Sequence, residues 1–237
     1  MPIFGDAEFR VALELLYSAG AAGTTALALL ARHERRLIKA RRQLILDGVS
    51  SLFLAPTLTT DGAGFPKIEG VYGGRQLMLD LIPDTMTIRR LPQLWLSVTA
   101  LTSIDAADAG LAILVRPSGA DFYSLTERLP VTLTPPSVLP WECLVRGESD
   151  ASARTLDCIA PAAGAILADP KVKEIAVTRR GLRIIYQLAE GRRGQHLLLR
   201  QCDFDGARLE PALLARLAGG LDALALALGS SLQETPS

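Results

Sequence analysis

The chain has 237 residues, 49% of them apolar, and its 25 Lys and Arg balance 25 Asp and Glu to a formal net charge of zero. That apolar share excludes intrinsic disorder over most of the length, and only 20 Gly and 14 Pro exclude collagen-like or low-complexity sequence. Zero net charge excludes a global field that draws the whole chain to nucleic acid or anionic lipid, so such binding would need a local patch.

The segment Met1 to Arg10 holds Asp6, Glu8 and a single basic residue, and lacks the charged and apolar regions of a secretory signal. Phe9, Leu13, Leu16 and Tyr17 then share one helical face, which predicts a helix over 7–18. Gly20-Ala21-Ala22-Gly23 reads as a break, with Thr24 or Thr25 as the next N-cap. Leu27, Leu30, Ala31, Leu37, Ile38, Leu44 and Ile45 predict a longer second helix that stops at Asp47-Gly48. Residues 1–50 are therefore expected to form an antiparallel helical hairpin.

Two features of this region bear on function. Arg32, Arg35, Arg36, Lys39 and Arg42 fall in one arc, whereas Glu34 and Arg41 fall inside the apolar stripe. Buried charges need partners, so the stripe is expected to be half covered or to meet another chain. Glu34, Arg35, Arg36, Lys39, Arg41 and Arg42 are the candidate interaction residues. Leu15 to Ala31 is also uncharged and is followed by the basic cluster, the order that the positive-inside rule describes. The run is at the short limit for a membrane span and is diluted by Gly and Thr.

After Val49 the texture becomes β. Lys67 to Tyr72 and Arg75 to Ile82 flank Gly73-Gly74, a hairpin signal. Leu94 to Thr102 and Leu111 to Arg116 read as a second antiparallel pair joined by a polar loop. Residues 129–140 contain four prolines and allow a short edge strand at most; Trp141 to Arg146 is a further strand. Residues 150–169 are helical, with Pro161 expected to kink or split the helix. Glu174 to Thr178, Leu182 to Ala189 and Gln195 to Cys202 follow as strands. A leucine-rich helix over 209–228, weakened at Gly219-Gly220, precedes a disordered tail over 229–237.

The expected class is α+β: an N-terminal helical hairpin and an antiparallel β-rich body carrying two helices, near 151–168 and 209–228. The β region spans 66–147, and 150–228 completes the same body.

Signals for chemistry are few. His33 lies among arginines, and His196 and Cys202 are too far apart on one strand to share an ion. The sequence holds no GxSxG, P-loop or GxGxxG pattern, so no cofactor and no metal are expected. Cys143, Cys158 and Cys202 form no CxxC pair, which points to a reducing compartment. One loop stands out: Arg116, Asp121 and Tyr123 could converge on a small anion. The competing reading is an Arg116–Asp121 pair closing the loop, with Phe122 packed inward.

The sequence thus points to a non-catalytic, cytoplasmic binding or scaffold protein acting on a protein partner or on its own copy. Two alternatives stand beside it. One is a DNA-binding regulator, in which the basic helix belongs to a helix-turn-helix. The other is a protein held at the cytoplasmic face of the inner membrane, with the membrane surface as partner.

Overall fold

A computed structural model describes residues 6–84, 91–104, 110–191, 204 and 206–229. The chain divides into two compact units, 1–42 and 43–237.

The first unit is one α-helix, α1 (Asp6–Gln43), unbroken over 38 residues. At 1.5 Å per residue it is about 57 Å long. The break expected at Gly20 to Gly23 does not form, so the helical hairpin is corrected to a single rod. The reason is energetic: each glycine costs about 1 kcal/mol relative to alanine but does not forbid a helix. Ala19, Ala21, Ala22, Ala26 and Ala28 surround the pair with the strongest helix former, and no proline interrupts them. The turn that a helix-turn-helix needs is therefore missing from residues 6–43. The helix also stops before the expected Asp47-Gly48 signal, which instead opens a short second helix, α2 (Asp47–Ser50).

Among the described residues the second unit forms a nine-stranded sheet in which every neighbouring pair is antiparallel, with helices on one face, an α+β fold. Its strands are β1 (Leu54–Thr60), β2 (Pro66–Tyr72), β3 (Arg75–Asp84), β4 (Gln93–Leu101), β5 (Leu111–Val115), β6 (Val131–Leu133), β7 (Cys143–Gly147), β8 (Val172–Thr178) and β9 (Gly181–Glu190). They lie in the order β1-β2-β3-β4-β9-β8-β5-β7-β6. Gly73 and Gly74 take φ of +58° and +81°, the two positive values that a two-residue hairpin turn between β2 and β3 requires.

The expected β4–β5 pair does not exist. β4 pairs with β3 and β9, β5 pairs with β7 and β8, and the β8–β9 hairpin is inserted between them. Gly181 explains the tight fit of that hairpin. Its φ is +139°, and a Cβ there would lie 1.8 Å from the Ala100 carbonyl oxygen of β4. β1 carries no strand signal in the sequence: its residues are all exposed, so no apolar alternation marks a buried face, and Pro56 sits within it.

Among the described residues two helices, α3 (Ser152–Leu167) and α4 (Pro211–Ala227), cover one face. Pro161 lies inside α3, which continues through it as one helix and is not split there. Pro161, Asp157 and Cys158 are all exposed, so the carbonyl that proline leaves without a donor faces water. Leu214, Leu217, Leu221 and Leu224 of α4 join Leu79, Val98 and Ile184 of the sheet in one core. Gly220 permits the close packing: a Cβ there would meet Ile166 and Ile184 at 3.3–3.4 Å. The expected strand 195–202 and residues 230–237 of the tail lie outside the described residues.

Candidate functional site

Five leucines of α1 whose side chains are described face outward. Leu16 is 70% exposed, Leu27 67%, Leu30 62% and Leu37 47%, and Tyr17 and Leu29 are exposed with them. Of the candidate interaction residues, Glu34, Arg36, Lys39 and Arg41 are exposed and Arg42 is half-buried; the side chain of Arg35 lies outside the described residues. Residues 32–42 carry six cations and one carboxylate, a formal +5, while residues 6–31 carry three carboxylates and Arg10, a formal −2. The rod is thus apolar along one stripe and charged oppositely at its two ends. Among the described residues no helix is long and apolar enough to cross a membrane.

In the second unit the polar loop after β5 has a structural role. Arg116 takes φ +48°, unusual for a residue with a side chain, and its Nη2 donates to the carbonyls of Pro170 at 2.6 Å and Val172 at 3.0 Å. Its own carbonyl accepts from Lys173 Nζ. Arg116 therefore does not pair with Asp121, contrary to the loop-closing expectation. Asp121 accepts instead from the Ser118 amide at 2.6 Å, the Ser118 hydroxyl at 2.8 Å and the Tyr123 hydroxyl at 3.1 Å, and forms an ion pair with Lys173 at 3.4 Å. The aromatic expectation is corrected too. Phe122 is exposed, and it is Tyr123 that is buried, packed on Trp95 at 4.8 Å between ring centroids.

The loop covers the face of the sheet that the helices leave open, and a buried ion pair anchors it. Glu174 is fully buried and accepts from Leu125 N at 2.8 Å, Ser124 Oγ at 3.0 Å and Arg183 Nη2 at 2.8 Å. Burial pushes the Glu174 carboxyl up, against the pull of Arg183 and the two donors. Burial also acts to raise Asp121, but the Ser118 donors, Lys173 and the Tyr123 hydroxyl outweigh it and hold the carboxyl below its ordinary range. Burial and the neighbouring Asp121 carboxylate push the Tyr123 phenol far up, so it remains a neutral donor. The ladder between β8 and β9 is irregular between Val172 and Glu174, and the extra residue leaves both Lys173 and Glu174 buried.

Of the small-anion trio, the structure brings Asp121 and Tyr123 together and turns Arg116 to other partners. The Asp121 carboxylate is satisfied by Ser118 and Tyr123 of the loop and by Lys173 of β8. A cleft of about 220 Å³ lies beside this region, lined by Gly110, Leu125, Arg128, Glu148, Val177 and Arg179 among others. Among the described residues no group of three or more His, Cys, Asp or Glu could hold a metal ion. Cys143 is half-buried against the core and Cys158 is exposed; His196 and Cys202 lie outside the described residues.

Sequence reading missed Lys173, Glu174 and Arg183 as partners. The available signal was Lys173-Glu174 set directly before the apolar run Ile175 to Val177, where charge in a central strand requires burial with a counter-ion. Comparison with known proteins finds no matching family model, no matching curated protein and no matching solved structure.

Proposed function

We propose that the chain is a non-catalytic binding protein that acts through protein–protein association, with α1 as its contact element. One observation carries this reading: a 38-residue helix on whose heptad-spaced face Leu16, Leu27, Leu30 and Leu37 stand in solvent. An exposed helix draws no stability from tertiary packing, and most helices in proteins depend on such packing of an apolar face. Contiguous exposed apolar surface of this kind marks an interaction site. The buried polar cluster of the second unit fits a scaffold role, since its groups hold a loop against the sheet.

The test compares the chain with Leu27→Glu/Leu30→Glu by light scattering, and by flotation with vesicles of anionic phospholipid. Protein association that the double substitution abolishes, without vesicle binding, supports the reading. Flotation that depends on the same leucines would assign the stripe to lipid and overturn it. Duplex DNA binding at low salt that disappears in Arg35→Glu/Arg36→Glu would overturn it in favour of a nucleic-acid partner.

A further inference from the structure

We propose that α1 pairs with α1 of a second copy as an antiparallel two-stranded coiled coil. The register sets Gly23 against Leu27 of the second copy and Gly20 against its Leu30. The inference rests on the association reading above and names its partner.

The first support is the spacing. Positions 9, 13, 16, 20, 23, 27, 30, 34, 37 and 41 alternate by four and three along α1, a continuous heptad seam. The polar residues Ser18, Thr25, Arg32, Arg36, Lys39 and Arg42 lie off that seam. One flanking column, at 12, 19, 26, 33 and 40, is alanine except for His33. Small residues there let two backbones approach closely.

The second support is the glycines. A Cβ at Gly20 or Gly23 would meet nothing within 4 Å, although both lie on the seam among leucines. In the proposed register each glycine receives a leucine of the second copy, so large and small residues interlock. A parallel pair would set glycine against glycine in two successive layers and leave a void, which is costly in a packed core.

The third support is charge, and it selects the same orientation. A parallel pair would align the two +5 ends, and would place Glu34 against Glu34 and Arg41 against Arg41 on the seam. The antiparallel pair lays each +5 end along the −2 end of the other copy. It also moves Glu34 to the level of Leu16 and separates the like charges. Helix dipoles oppose each other in the same arrangement.

The orientation is read by pulsed electron spin resonance on full-length chain spin-labelled at Lys39→Cys, with Cys143, Cys158 and Cys202 replaced by Ser. Position 39 points away from the seam. In the proposed register the two labels lie about 45 Å apart, because residue 39 sits level with residue 11 of the second copy. A parallel pair would hold them at about 20–25 Å. Light scattering at high micromolar concentration accompanies the measurement. The expected result is twice the 25.3 kDa chain mass, reduced to the single mass by Leu27→Glu/Leu30→Glu with the circular dichroism of the body retained. A dimer with the short distance overturns the antiparallel pairing. A monomer at high concentration overturns self-pairing. If that monomer also floats with anionic vesicles through α1, the association reading fails with it; if it stays in solution, only the second copy is refuted.

Discussion

α1 and α4 are both leucine-rich helices with glycine pairs in the middle, and they end in opposite environments. In α4 Leu214, Leu221 and Leu224 are wholly buried, and Gly220 is the contact point that lets the helix sit on Ile166 and Ile184. In α1 Leu16, Leu27, Leu30 and Leu37 are exposed, and Gly20 and Gly23 face open space. The same spacing therefore identifies which face of a helix is to be covered and leaves open what covers it. The body supplies the cover for α4. For α1, the proposed cover is another chain.

The largest effect expected on this contrast is at the buried end. Arg183→Met removes the counter-ion of the fully buried Glu174, and about 3–5 kcal/mol of stability should be lost in urea unfolding. If the loss were below about 1 kcal/mol, the ion pair would not be what anchors the 117–130 loop.

Leu221→Ala comes next, at about 2–5 kcal/mol, the range for emptying a packed leucine site. The same change at Leu30 should shift unfolding of the body by no more than about 0.5 kcal/mol. Equal losses at the two sites would erase the distinction between the helices.

The third prediction concerns acid. The folded state holds Asp121 ionised below the pH at which the unfolded chain protonates it. Between those two values the unfolded state binds more protons, so stability rises with pH and is lost as pH falls through the folded value. The stability difference between the protein and Asp121→Asn should therefore be full at pH 6 and shrink below about pH 4. Glu174 runs the other way: its folded carboxyl takes up a proton at higher pH than the unfolded chain does, so its contribution falls as pH rises past the unfolded value. Urea titrations of Asp121→Asn and Glu174→Gln across this range should show slopes of opposite sign.

The smallest effect is at the glycines. Gly23→Ala removes a helix penalty of about 1 kcal/mol and so should raise the helicity of unpaired α1. In the paired state the added methyl occupies the space that Leu27 of the second copy would fill, so dimer dissociation should shift to higher concentration. Tighter pairing in light scattering would contradict the close approach.

Local features were legible in the residues. The Gly73-Gly74 turn, the alternation of Leu182, Ile184 and Tyr186 in β9, and the leucine spacing of α4 each depend on neighbours a few positions away. The separation of β4 from β5 depends on a hairpin seventy residues downstream, which no local pattern encodes. The continuity of α1 is not legible in its glycines, because glycine in a helix is a cost and not a stop. The partnership of Asp121 with Lys173 instead of Arg116 turns on an irregular ladder in β8 that re-aims one side chain. Such an irregularity leaves no mark in composition.

The most direct measurement is amide hydrogen exchange of α1 and α4 in the same sample at two protein concentrations. Protection over Leu16 to Leu37 should rise with concentration and vanish in Leu27→Glu/Leu30→Glu, while protection over Leu214 to Leu224 stays constant. Protection of α1 that is independent of concentration, or lacking at every concentration, would contradict a second copy as its cover.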